Sequence, residues 1–336
     1  MSPKKKTQTI YDVAELAGVS ISTVSRVMNT PNKVNKGTHT KVLGAIEKLG
    51  FIPKAEARAR ALRQTGRIGV LTPFFTAPSF VQRLRGVAAA LSKSSYDLVI
   101  YTVDSSDRLQ GYISSIPLTG NLDGLIIMSL PIRDKDAQYL SEHGVETVLI
   151  EYPNPKLNSI EINDVHGGQL AAEYLIQKGY KRIAFLGDTE PREEFAIHPA
   201  SKRLVGFQRA LQDAGIHLPK KYISHAPNTP EHSLKAAQQL LGLAEPPTAI
   251  FAAADIQALS VLKAARGLGL SIPSQLAVIG FDDIDIAEYA DLTTIRQHLD
   301  ESGKMAVEIL LTRIANSNRP LQHVQLPLSI VERLTA

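Results

Sequence analysis

Thr9-Ile-Tyr-Asp-Val-Ala-Glu-Leu-Ala-Gly-Val-Ser-Ile-Ser-Thr-Val-Ser-Arg-Val-Met-Asn29 is the most informative run in the chain. Ile10, Val13, Ala14 and Ala17 recur at helical spacing and share one face. Thr9 is a natural N-cap, and Asp12, three residues on, suits the positive end of a helix. Gly18 then stops the helix, as the residue that most readily turns left-handed. Ser20 caps a second short helix over 21–28, with Val24 and Val27 inward and Ile21, Ser22, Ser25 and Arg26 outward. Two short helices joined by a glycine turn make a helix-turn-helix. A third helix fits 38–49, where Val42, Ala45, Ile46 and Leu49 share a face.

A second helix that is slim and carries small polar groups at its start fits a major groove. Arg26 can donate to guanine or to phosphate, and Ser22 can bond a base or the backbone. A generic three-helix bundle satisfies the periodicity alone. Charge separates the two readings. Residues 1–66 hold 12 Lys/Arg against 4 Asp/Glu, whereas the rest of the chain holds 25 against 29. A basic module on a mildly acidic body is the footprint of a nucleic-acid binder.

The rest of the composition narrows the classes further. The 336 residues suit about two domains, and 44% apolar content supports a large core. There is no cysteine, which excludes disulfides, Cys-ligated metals and Cys nucleophiles. No apolar run is long enough to span a membrane, and no signal-peptide pattern opens the chain, so a cytoplasmic protein is expected.

From residue 67 onward, strand patterns at 67–71, 97–102, 123–128, 147–150, 182–186, 248–251 and 276–280 alternate with helical ones. The helices include 79–92, 164–178, 202–214 and 256–268. Such alternation indicates α/β architecture with parallel sheets. About 270 residues is long for one such sheet and suits two lobes.

The 9–29 run resembles the signature of the lactose/galactose repressor (LacI/GalR) family, and the likeness continues to the end of the chain. It implies a three-helix headpiece (1–53), a hinge helix and linker (54–66) and a two-lobed core of the periplasmic-binding-protein type I kind (67–336). Lobe crossovers are expected near 163, 292 and 325. In that family, residues matching Ile21, Ser22 and Arg26 read bases. Those matching Thr9, Tyr11, Ser25, Asn29, Asn35 and Thr38 hold phosphates, and Ser20 is counted with them. The hinge helix orders on operator DNA and wedges a leucine into the minor groove. The usual wedge position here is Arg60, and the only leucine is Leu62. Either the helix shifts in register or Arg60 enters the narrow groove instead.

No phosphate-binding loop, zinc-protease motif or nucleophile elbow occurs. No catalytic residue, cofactor or metal is expected. Asp282, Asp283, Asp285 and Glu288 form an acidic cluster able to hold a divalent cation, bind sugar hydroxyls or cap a helix. Asp282 matches the family's effector-binding aspartate, and Arg203 its ligand-gripping arginine. Glu151, Gln297 and Asp255 also match cleft positions, although Ala254 replaces the usual asparagine before Asp255. Phe75 and Phe80 are candidates to stack on a sugar ring, with Ser79 beside them. Loop 188–200 looks longer than usual.

The resemblance implies a dimeric repressor of carbohydrate genes on a pseudo-palindromic operator, released by a mono- or oligosaccharide. With no heptad tail after Glu332, a dimer is expected rather than a tetramer. A nucleobase-corepressed or activating regulator shares the same modules. An intracellular sugar-binding or sugar-active protein is the alternative from another class.

Overall fold

The chain divides into two units, residues 1–65 and 66–336, and the alternating pattern belongs to the second. The computed structural model describes residues 9–29, 34–49, 51, 65–188 and 195–336. Arg60 and Leu62, and with them the hinge helix expected over 54–63, lie outside the described residues.

In the first unit, α1 (Ile10–Ala17), α2 (Ile21–Asn29) and α3 (Lys36–Leu49) close on a small core. Val13, Ala14, Val24, Val27, Val42 and Ala45 are its buried members. The end signals act as the sequence suggests. The Thr9 backbone N–H and hydroxyl both donate to Asp12 at 2.6 Å. Gly18 takes φ +64 and ψ 38, and its N–H donates to the Glu15 carbonyl. Thr23 N–H donates to Ser20 Oγ at 3.2 Å. Asn35 caps α3, which starts two residues before the expected 38, by accepting the Thr38 N–H at 2.8 Å.

The second unit holds two six-stranded sheets. The first lobe comprises β1 (Arg67–Thr72), α4 (Pro78–Leu91), β2 (Asp97–Thr102), α5 (Ser106–Thr119), β3 (Gly124–Met128), α6 (Asp134–Glu142), β4 (Glu146–Ile150) and β5 (Asn158–Glu161). The second comprises α7 (Asp164–Gln177), β6 (Ile183–Gly187), α8 (Pro199–Asp213), β7 (Ile223–His225), α9 (Pro230–Leu241), β8 (Ala249–Ala252), α10 (Asp255–Gly267), β9 (Ala277–Asp282), α11 (Asp285–Tyr289) and β10 (Thr293–Arg296). The chain then returns to the first lobe as α12 (Leu299–Ala315) and β11 (His323–Gln325), and ends in the second with β12 (Ser329–Val331). The middle crossing thus follows β10, at 297–298 rather than near 292. Thr293–Arg296 pairs with β9, which keeps it in the second sheet.

Strand order is β11-β5-β4-β3-β1-β2 in one sheet and β12-β10-β9-β8-β6-β7 in the other. All pairs are parallel except β10 with β12. The central strands β3, β6, β8 and β9 are buried along their whole length. Helices cover both faces, which is why these strands read as continuous apolar runs and not as alternating ones. Two apolar clusters sandwich each sheet. The order reverses between β1 and β3 in one sheet and between β6 and β8 in the other. In open α/β sheets the ligand crevice lies at that reversal, outside the carboxyl ends of the strands.

Candidate effector cavity and DNA-reading helix

A cavity of about 490 Å³ lies where both crevices meet. The carboxyl ends of β1, β3, β4, β6, β8, β9 and β10 all deliver residues to it. These include Phe74, Ser129, Glu151, Asp188, Ala253, Asp282 and Gln297. Phe74, Ser129, Glu151 and Asp282 have φ of +43, +52, +73 and +125. Non-glycine residues in such conformations are strained, and strain of this kind gathers at ligand sites.

Ser79, Phe80, Glu151, Arg203, Asp282 and Gln297, all expected from the sequence, line this one space. Two expected residues do not. Phe74 lines the cavity in place of Phe75, and its ring sits 6.4 Å edge-on to Phe80 and 6.1 Å from Phe195. Asp255 is fully buried behind the wall, where its carboxylate accepts from Thr294 Oγ1 at 2.5 Å and from Ile284 N–H at 2.9 Å. Its work is to tie α10 to β10 and to the turn after β9.

The polar end of the cavity is built from paired charges. Arg203, on α8, donates to Asp164 at 2.9 Å and to the Ala253 carbonyl at 2.6 Å. Its guanidinium lies 3.5 Å from the centre of the Phe281 ring, a cation–π contact. Helices α7 and α8 cross closely enough to place it there because glycines meet backbone at the contact. A Cβ on Gly168 would fall 1.8 Å from the Arg203 carbonyl oxygen, and one on Gly206 1.7 Å from that of Val165.

Arg83 and Ser129 were not singled out in the sequence. Arg83 sits on the inward stripe of α4 with Val87 and Leu91, and is only 2% exposed. A charged residue on an apolar stripe was the available signal. It bonds Glu151 at 2.6 Å, Ser302 at 3.0 Å and Gln297 at 3.4 Å. Ser129 Oγ donates to the other Glu151 oxygen. Gln297 in turn donates to Asp282 at 2.5 Å. One hydrogen-bonded chain therefore runs from Ser129 through Glu151, Arg83 and Gln297 to Asp282.

The carboxyls respond in opposite directions. Burial pushes Glu151 up, but the Arg83 charge, bonds from Ser129 and Arg83, and the Arg203 charge together hold it below its ordinary value. Burial lifts Asp282 to about 7 against the opposing pull of Arg203 and Gln297, with Glu151 adding to the rise. Burial also raises Asp164, with Arg203 opposing. It lifts Asp255 well above the usual range, reinforced by the Asp282 charge. The acidic cluster after β9 disperses. Asp283 pairs with Arg296 and Arg333, Asp285 with Arg85, and Glu288 with Arg333. Among the described residues, no group of potential metal ligands gathers.

On the first unit, Tyr11 is 68% exposed and Ile21 40%, and Ser22 and Arg26 are exposed beside Ile21. Ser25 is half-buried, as is Thr38, while Thr9, Ser20 and Asn35 are exposed. No helix among the described residues is long and apolar enough to cross a membrane.

A helix-turn-helix unit followed by a two-lobed core with a cavity of this kind defines a class, that of DNA-binding regulators governed by a small molecule. A family model described as "Bacterial regulatory proteins, lacI family" matches residues 9–54, and one described as "Periplasmic binding protein-like domain" matches 172–336. The chain is 33% identical to the ribose operon repressor of Escherichia coli K12, over 98% of this chain and 99% of that one. It is 31% identical to the transcriptional repressor PurR of Proteus mirabilis, over 97% and 96%. A solved lac repressor dimer, bound to operator and the anti-inducer ONPF, superposes with a TM-score of 0.81 at 29% identity, over 98% and 99%. The chain belongs to the lacI family of bacterial regulatory proteins. It is a DNA-binding transcription regulator and not an enzyme.

Proposed function

We propose that this regulator is a cytoplasmic, dimeric repressor of carbohydrate-utilisation genes, released from its operator by a small saccharide bound between the lobes. The carrying observation is the cavity's pairing of carboxylates and guanidinium groups at the strand ends beside the Phe74–Phe80 shelf. Carboxylates accept from adjacent sugar hydroxyls, and guanidinium groups donate to them. The ring faces of a pyranose are apolar and suit an aromatic shelf. Relatives named for ribose and lac support the same reading.

In this reading the start of α2 enters the major groove. Ile21, Ser22 and Arg26 read base edges, while Thr9, Tyr11, Ser20, Ser25, Asn29, Asn35 and Thr38 hold backbone. Arg60 or Leu62 enters the minor groove between two half-sites. The effector changes the angle between the lobes and so the affinity for DNA, a coupling of ~1–3 kcal/mol.

The test is fluorescence anisotropy on a library of pseudo-palindromic duplexes at fixed salt, since phosphate contacts make affinity salt-dependent. The titration is repeated with saccharides and with nucleobases. Release of a specific duplex by a saccharide supports the reading. A compound that tightens binding replaces it with corepression. Equal affinity for random DNA under every condition overturns it.

A further inference from the structure

The polar end of the cavity contains two guanidinium groups, and each already has a carboxylate. Arg83 is bonded to Glu151. Arg203 is bonded to Asp164, with Asp282 at 3.9 Å. Among the described lining residues, Glu151 and Asp282 meet these two cations, and Asp188 also lines the wall. Asp164 stands behind Arg203 as a fourth, and His198 is the remaining titratable group on the wall. An entering phosphate or carboxylate either displaces one of these acids, leaving a buried carboxylate uncompensated, the costly outcome when a buried pair is broken, or shares a guanidinium whose charge that acid already balances. It also comes against the ionised Glu151, and like charges facing each other in a desolvated site reject a partner strongly. Hydroxyl groups meet neither penalty, because they donate to the acids and accept from the guanidinium groups without displacing either.

Glu151 is the pivot of this arrangement. It follows β4 directly, with both oxygens engaged, one by Arg83 and one by Ser129, and it stays ionised. Resting on the reading of this cavity as the effector site, we propose that it admits saccharides bearing neither phosphate nor carboxylate and rejects their phosphate esters, with Glu151 enforcing the choice by occupying Arg83.

The experiment uses the full-length chain and calorimetric titration with matched pairs: ribose and ribose 5-phosphate, glucose and glucose 6-phosphate, trehalose and trehalose 6-phosphate. In any pair with a binding parent, the ester is expected to bind about 100-fold more weakly or not at all. In Glu151→Gln, Arg83 loses its counter-charge, and that ratio should shrink to about tenfold or less. An ester that binds the unmutated chain as tightly as its parent overturns the inference while leaving the saccharide reading standing. A Glu151→Gln chain that melts normally yet keeps the full ratio removes Glu151 from the role. Binding by no member of any pair sinks the saccharide reading and the inference together. Should Glu151→Gln fail to fold, the titrations of the unmutated chain still decide whether phosphate is rejected.

Discussion

Arg85 of α4 and Asp285 of α11 join the two lobes, with Nη1–Oδ2 at 2.5 Å and Nη2–Oδ1 at 3.0 Å. The same guanidinium also grips Asp300 at the start of α12, twice at 2.7 Å. Gln82, one turn earlier on α4, accepts the Asp285 N–H at 3.2 Å. Helix α4 therefore carries two sets of side chains. Ser79, Phe80 and Arg83 face the cavity, while Gln82 and Arg85 hold the opposite lobe.

Because the pair is half exposed, Arg85→Gln should cost at most ~1 kcal/mol of stability. Its effect should appear instead in the switch, because the pair stabilises one lobe arrangement and any bias between arrangements moves both ligands. The effector concentration that half-releases the operator is expected to shift by about two- to fivefold, with Asp285→Asn shifting it the same way. Anisotropy titrations on both variants check this. An unchanged midpoint in both would show that the pair does not distinguish the arrangements.

Arg26→Ala is the cleanest separation of the two units. Arg26 is exposed on α2 and lies outside the headpiece core. Specific operator affinity should fall by roughly 10- to 100-fold, the worth of a good bidentate base contact. Effector binding to the second unit should stay within experimental error, and so should the thermal midpoint. Loss of effector affinity in this variant would contradict the independence of the units.

The headpiece was legible because each of its signals is local. Thr9 and Asp12, Gly18, and Ser20 and Thr23 act within a few residues of one another. The parallel sheets were legible from buried apolar runs such as 123–128 and 276–280. The cavity was only half legible. Arg83 meets Glu151 across 68 residues and Ser302 across 219, and no spacing encodes such a meeting. Asp255 misled for the opposite reason. Its position matches a cleft motif, but its two buried bonds belong to the scaffold. Neighbouring Phe74 and Phe75 exchanged roles because Phe74 turns at positive φ after β1, which aims its ring at Phe80 and Phe195.

Gly168→Ala tests how helix packing sets the site. The added methyl would meet the Arg203 backbone at 1.8 Å, so α8 must move. Overpacking of this kind costs ~1–3 kcal/mol. Displacing α8 also draws Arg203 away from Asp164 and the Phe281 ring. Urea unfolding should show the loss of stability, and effector affinity should fall well beyond it. Gly179→Ala, at an exposed turn with φ +87, is the useful contrast. It should lower stability through backbone strain yet leave effector affinity intact. Equal losses of affinity in both variants would refute the positioning role of the α7–α8 contact.

Asp282→Asn should reveal the cost of burying that carboxyl. In the folded chain Asp282 holds its proton up to about pH 7, while in the unfolded chain it ionises near ~3.9. Between those values the folded state binds a proton that the unfolded state has released. On this group's account, stability therefore falls as pH rises from ~4 to ~7 and stays low above that. Asparagine keeps an oxygen to accept the Gln297 amide, and Arg203 keeps Asp164 as its counter-charge. The variant should melt roughly 2–4 °C higher than the unmutated chain at pH 8. The advantage should vanish toward pH 4, where both forms are neutral. Asp255, raised partly by the Asp282 charge, should relax in the same variant and flatten the profile further. Effector affinity should fall in the same protein, because a neutral amide cannot replace a carboxylate that accepts from two hydroxyls. Melting curves from pH 4 to 8 check the first expectation and calorimetry the second. A variant less stable than the unmutated chain at pH 8 would mean that the Arg203–Asp282 attraction outweighs burial.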